Sequence, residues 1–160
     1  MAGIPIYETA MLPEWIDYNG HVRDAYYSLI ASSACDALMD RVGIDAAYRE
    51  RTRCTLYTLE MHVHYLHEVK QSEHIVVEVT ILGSDRKRLH AGFTLRRAPD
   101  GTVAATVEFM LLHVRQGENP GSEPFPSEVA AAIAALAAAA PAGDFGPGSR
   151  ALSLAAGARR

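Results

Sequence analysis

The hydrophobic pattern of this chain changes its period several times, and each change predicts an element. Residues 4–11, IPIYETAM, are short and apolar enough for a first strand, which Pro13 ends because it cannot donate to a ladder. The stretch AYYSLIASSAC, from Ala25 to Cys35, carries no charge, so it predicts a helix covered by other parts of the protein. Small residues at 31–34 allow close approach of neighbouring backbone, and Gly43 is placed to stop the helix near Val42. IDAAYRERTR predicts a short second helix before Cys54. In LYTLEMHVHYL the period drops to two: Tyr57, Leu59, Met61, Val63 and Tyr65 alternate with Thr58, Glu60, His62 and His64, as in a strand. HIVVEVTIL, RLHAGFTLRR and VAATVEFMLLHV predict three more strands, joined by the turn sequences GSDRK and APDG and therefore antiparallel. QGENPGSEPFP reads as a polar loop. SEVAAAIAALAAAA is strongly helix-prone, but its only large apolar side chains are Val129, Ile133 and Leu136, so weak docking is expected. From Pro141 onward the chain is small and Gly-rich, as disordered tails are.

A long chargeless helix followed by a meander of four long strands, with an extra strand from residues 4–11, predicts an α+β layout in which a curved antiparallel sheet curls around the helix. With 160 residues, 49% of them hydrophobic, one core and one domain are expected. A net charge of −4 gives no basis for nucleic acid or an anionic membrane as partner. Cys35 and Cys54 are too few for a disulfide framework and lack metal-ligand spacing, which points to a reducing cytoplasm. No signal-peptide pattern opens the sequence, and the longest uncharged run, 129–143, is mostly alanine with a proline, a poor membrane span.

Candidate chemistry concentrates in PEWIDYNGHVRDAYY, directly before the first helix. A carboxylate beside a helix N-terminus combines a nucleophile or base with unpaired N–H groups that can receive an oxyanion. Asp17 sits a few residues ahead of that terminus, with Asn19 and His21 available to orient it and Gly20 letting the loop turn sharply. The plain alternative is that Asn19-Gly20 is a turn and Asp17 a solvated or capping acid.

The order of elements, with Asp17 in the loop leading into the central helix, resembles the hotdog fold of acyl-CoA thioesterases. WIDYNGHV followed by Tyr26 is similar to the Asp-x-Asn-x-His pattern of the 4-hydroxybenzoyl-CoA thioesterase type. The resemblance implies Asp17 as catalytic nucleophile or general base, Asn19 and His21 as its catalytic partners, and an oxyanion held by backbone N–H groups near Arg23 and Asp24. Together PEWIDYNGH, LYTLEMHVHYLHEV, LGSDRKRLH and FMLLHV resemble, over about residues 11–115, the betainyl-CoA thioesterases associated with L-carnitine dehydrogenase. That resemblance implies hydrolysis of betainyl-CoA in carnitine and betaine catabolism. It also implies a hotdog domain at 1–116, to which the chain adds a loop and Ala-rich helix at 117–140 and a flexible tail at 141–160.

A quaternary ammonium is held best by aromatic faces. Trp15, Tyr18, Tyr26, Tyr27, Tyr48 and Tyr57 lie around the loop in sequence; Trp15 is the preferred cage residue, with Tyr26 and Tyr57 beside it, although core packing explains any one of them. Glu60, His62 and His64 share one strand face. Two histidines spaced this way could ligate zinc, but a third ligand and second shell are missing from the pattern, so no metal is expected. Glu60 and His62 instead read as lining the acyl pocket, or the histidines as lying near a dimer seam. Arg86, Lys87 and Arg88 read as a solvated turn on their own and, given the resemblance, as contacts for the CoA phosphates. The fold resemblance further implies a homodimer or homotetramer and no cofactor beyond the CoA of the substrate. Two other functions fit the same fold: a hydratase or dehydratase with His21 or His62 as base, and an acyl-CoA-binding module without turnover.

Overall fold

The computed structural model describes residues 3–98, 100–140 and 145. Five long strands and three helices make the fold: β1 (Ile4–Ala10), α1 (Asp24–Arg41), α2 (Ala46–Thr52), β2 (Cys54–Tyr65), β3 (His74–Ser84), β4 (Arg88–Arg97), β5 (Val103–Arg115), a two-residue β6 (Gly121–Ser122) and α3 (Ser127–Ala139). All pairings are antiparallel, in the order β1-β3-β4-β5-β2, with β6 added to β5. This is the curled sheet around a helix expected of a hotdog fold. Among the described residues no helix is long and apolar enough to cross a membrane.

Alternation along the strands decides which side is core. Ile75, Val77, Val79 and Ile81 of β3, Leu89, Ala91, Phe93 and Leu95 of β4, and Ala105, Val107, Phe109 and Leu111 of β5 are all buried and face α1. From α1 they receive Tyr27, Ile30, Ala31, Ala34, Cys35 and Leu38, a stripe at helical spacing. Gly43 ends α1 as the sequence suggested: at φ +86° it lets its own N–H reach the Asp40 carbonyl and the N–H of Ile44 reach that of Met39.

Several expectations need correction. The four-strand meander is really three strands, because β2 does not neighbour β3 but pairs with β5, and among the described residues no strand pairs with its other edge. The connector from Leu66 to Glu73 is too long to be a hairpin turn, so it lets the chain cross over. Covering of α1 is one-sided: Leu29 and Ser32 on its other face are exposed. Nor is α3 weakly docked, since Val129 and Ile133 are each 1% exposed and join the main core. Most of its other positions are alanine, which lets the helix lie close to the sheet. The region expected to be a polar loop contributes β6 and Phe125, whose ring lies 5.1 Å from that of His113. The tail expected beyond Pro141 lies outside the described residues except for Phe145, whose ring covers the strand face at Gly92, where a Cβ would come within 2.4 Å of it.

One buried polar cluster is purely structural. Nδ1 of His113 is 3.0 Å from the Glu123 carbonyl, which can only accept, so Nδ1 carries the proton and Nε2 accepts the Tyr48 hydroxyl at 2.9 Å. Tyr48, one of the aromatic candidates, is thereby committed to the core.

Candidate active site

The loop before α1 is a small hairpin tied to the connector after β2. A 3-10 turn at Pro13–Trp15 leads into an antiparallel bridge between Ile16 and Val22, and a second bridge joins His21 to Lys70. The Val22 N–H donates to the Val69 carbonyl at 2.8 Å, and Gly20 takes φ +80° at the tip, a conformation costly for any residue with a side chain. Asp17 is half-buried at the base of this hairpin. Its Oδ1 accepts the backbone N–H groups of Asn19 at 2.8 Å and His21 at 3.2 Å, leaving Oδ2 outside both bonds. Desolvation pushes its pKa up, but the backbone N–H groups of His21 and Asn19 and the Asn19 side chain outweigh it, holding the carboxyl below its ordinary 3.8. Asp17 is therefore an anion fixed within the hairpin that leads into α1.

The two amides expected to hold an oxyanion are not equivalent. The Arg23 N–H donates to the Trp15 carbonyl at 2.9 Å, so it faces into the loop and is already engaged. In the first turn of α1, Ala25 N–H meets Asp24 Oδ1 at 2.9 Å and Tyr26 N–H meets the Arg23 carbonyl at 3.0 Å. The Asp24 N–H has no partner among the described residues, which leaves it as the open donor.

Other expected site residues are dispersed. Trp15 and Tyr26 lie next to the loop but stack on each other, 5.4 Å apart and 18° from parallel, so each occupies a face of the other. Tyr18 is 94% exposed. The His21 ring has its Nε2 3.4 Å from Oε1 of Glu68. A bulge at Leu59 reverses the facing of β2: Tyr57 pairs with Leu112 before it, whereas Glu60, His62 and His64 pair with Met110, Glu108 and Thr106 after it, all on the face away from α1. The sheet thus separates Tyr57, Glu60 and His62 from Asp17 of the same chain. His62 and His64 have ring centroids 5.2 Å apart, but no group of three or more ligating side chains is placed to hold a metal ion among the described residues.

Arg86, Lys87 and Arg88 occupy the β3–β4 turn, whereas Asp17 lies beside the connector at the other end of β3. Eleven residues of strand separate the two ends, about 33 Å at the usual rise. Within the turn Arg88 is committed to Asp85 at 2.6 Å, and the Lys87 ammonium donates to the Ser122 hydroxyl at 2.9 Å. Arg86 is exposed.

A cleft of about 280 Å³ adjoins the loop, lined by Val22, Asp24, Tyr27, Tyr65, Leu66 and Glu68 among others. The Tyr65 hydroxyl donates to the Asp24 carbonyl at 3.3 Å, and the Tyr27 and Tyr65 rings meet edge to face, 5.4 Å apart. Burial pushes both phenols above their ordinary pKa, so they are neutral at physiological pH. Tyr65 and Glu68 were missed as site residues. The inward phase of β2 beyond its midpoint was the available signal for Tyr65, whereas nothing local marks Glu68.

A family profile described as the thioesterase-like superfamily matches residues 11–133, from the end of β1 into α3. The chain belongs to the thioesterase-like superfamily. Within it, this thioesterase-like protein is 49% identical over 133 residues to a betainyl-CoA thioesterase of Pseudomonas aeruginosa, a match covering 83% of each chain. It is 35% identical over 130 residues to an L-carnitine dehydrogenase/betainyl-CoA thioesterase of Rhizobium meliloti, covering 81% of this chain and 26% of that longer protein. Among solved structures, a candidate thioesterase from Pseudomonas putida KT2440 superposes with a TM-score of 0.81 and 42% identity, covering 98% of this chain and 99% of that one. A Staphylococcus aureus protein solved in complex with CoA gives 0.80 and 32% identity, covering 88% and 89%.

Proposed function

We propose that this protein hydrolyses betainyl-CoA to betaine and CoA, with Asp17 as the catalytic carboxylate and without metal or cofactor. The observation that carries the reading is the Asp17 carboxylate, held ionised by the Asn19 and His21 amides at the start of α1. Similarity to the Pseudomonas aeruginosa betainyl-CoA thioesterase supports the choice of substrate.

In this reading the ionised Asp17 carboxylate attacks directly rather than activating a water. Its oxygen adds to the thioester carbonyl, and the developing oxyanion meets the Asp24 N–H at the positive end of α1. The C–S bond then breaks, CoA leaves as a thiolate that solvent protonates, and water hydrolyses the mixed anhydride to release betaine and restore Asp17.

The reading includes a homodimer, or a tetramer built from two such dimers. β2 has one unpaired edge, and Tyr57, Leu59, Met61 and Tyr65 along it are 43–53% exposed. Pairing two copies antiparallel along β2 sets the Cys54 end of one against the Tyr65 end of the other. The second copy's 85–88 turn then comes to the end of the sheet that carries Asp17, which a single chain cannot arrange. In that assembly Arg86 and Lys87 bind the CoA phosphates. The proposed location is the cytoplasm, in keeping with two unbridged cysteines.

A thiol-release screen over betainyl-CoA, short acyl-CoAs and aromatic acyl-CoAs tests the reading. Betainyl-CoA is expected to give the highest kcat/KM and Asp17→Asn to abolish most of it. Absence of thiol release from every acyl-CoA would overturn hydrolysis in favour of a hydratase or a binding module.

A further inference from the structure

The quaternary ammonium of the proposed substrate needs aromatic faces, and in the stacked Trp15–Tyr26 pair each ring already covers one face of the other. We propose that the cationic head of the acyl group is received instead by the cleft beside Tyr27 and Tyr65, against the exposed Tyr65 ring, with Asp24 and Glu68 supplying the opposing charge. This inference rests on the hydrolase reading and specifies the part of the site that selects the acyl group.

Three features of the cleft converge on a cation without N–H groups. Its apolar lining comes chiefly from Tyr65 and Leu66, 53% and 37% exposed, over a floor of the buried Tyr27 and Val22. Such surface matches methyl groups that carry a delocalised positive charge, for which ring faces are the best partners. Asp24 and Glu68 line it together with His67, whose Nδ1 lies 2.8 Å from the Val103 carbonyl, and no Lys or Arg is among its described lining residues. An uncharged acyl chain gains nothing from those two acids, whereas a fixed cation gains from both, more so once CoA and a second subunit exclude water.

Position supports the assignment as well. The cleft begins at Val22, next to His21, whose N–H holds Asp17 at 3.2 Å, and the His21 ring reaches Glu68 at 3.4 Å. The same short segment therefore holds the proposed nucleophile and begins the cleft. The head of a betainyl group lies one methylene from its carbonyl, so attack site and head-group site must adjoin in this way.

The test compares betainyl-CoA with 3,3-dimethylbutanoyl-CoA, its uncharged isostere in which carbon replaces nitrogen. The readout is the ratio of their kcat/KM values, which cancels losses common to both substrates, in the wild type, Tyr65→Leu, Tyr65→Phe and Glu68→Gln. The wild type is expected to prefer betainyl-CoA. Tyr65→Leu should lower the ratio by about 3- to 30-fold, the range of one cation–aromatic contact. Tyr65→Phe should keep most of the preference because the ring face remains, and Glu68→Gln should lower it several-fold. An unchanged ratio in Tyr65→Leu would overturn the cleft while leaving hydrolysis of betainyl-CoA intact. No thiol release from betainyl-CoA by the wild type would instead overturn the hydrolase reading, and this inference with it.

Discussion

Replacing Asp17 by asparagine isolates charge from shape. The carboxamide oxygen of Asn can still accept the Asn19 and His21 amides that Oδ1 accepts at 2.8 and 3.2 Å, so the hairpin and its Gly20 tip keep their geometry. What disappears is the anion. If Asp17 is the attacking group, kcat should fall by about 10²–10⁴ or more while KM changes little, because the loss is confined to the transition state. The wild-type pH profile supplies an independent check. With the Asp17 carboxyl below 3.8, the reactive anion is fully formed throughout the neutral and mildly acidic range, so kcat/KM should show no acidic limb from this group above about pH 5. The same sign governs folding: the depressed pKa contributes stability above the unfolded-state value, and that contribution is lost as pH falls through the folded one. Thiol release under saturating substrate gives kcat, and thermal melts followed by circular dichroism check that the variant is folded. A folded Asp17→Asn enzyme retaining more than a tenth of the wild-type kcat would refute the assignment. So would an acidic limb near pH 6 to 7 that vanishes in the variant, since it would make Asp17 an ordinary base with a raised pKa.

Ile133→Ala should destabilise the protein by about 2–5 kcal/mol in urea titrations, because the side chain is 1% exposed within the main core; a loss under 1 kcal/mol would mean that α3 is only loosely attached. Tyr48→Phe leaves Nε2 of His113 without its donor in a buried site and should cost about 1–3 kcal/mol with kcat unchanged. Burial pushes the Cys35 thiol up to about 12, so it should resist thiol reagents in the native protein at pH 8 and react fully in denaturant. Arg86→Ala combined with Lys87→Ala should raise KM for the acyl-CoA several-fold with little change in kcat; an unchanged KM would remove the 85–88 turn from the CoA site.

Much of the fold was legible because local signals agreed with one another. The chargeless run from Ala25, the stop at Gly43, and the turn sequences between β3, β4 and β5 each point to an element that forms at that place. Where the sequence misled, the deciding interaction was remote or lay in a single residue. Alternation along β2 holds on both sides of Leu59, yet one bulged residue flips the second half, so a strict two-residue count groups Tyr57 with Tyr65, whereas Tyr57 shares a face with Glu60 and His62. The alanine-rich composition of α3 suggested weak docking because side-chain size was counted without the close approach that alanine permits.

The site divides along the same physical line. Asp17, Asn19, Gly20 and His21 could be read from a few consecutive residues because a turn that offers amides to a carboxylate is a local structure, complete within five positions. Which aromatic ring is free to meet a ligand is a global property. Trp15 and Tyr26 are close to Asp17 in sequence, and that closeness also brings them within stacking distance of each other. Tyr65, forty-eight positions from Asp17 along the sequence, is 53% exposed at the end of β2 and meets Tyr27 edge to face. The unpaired edge of β2, the exposed side chains along it, and the separation of the basic turn from Asp17 all have one remedy, the antiparallel docking of a second β2. A loop that supplies the anion and a sheet edge that gathers the remaining contacts are therefore two halves of one device, and only the first is written in contiguous sequence.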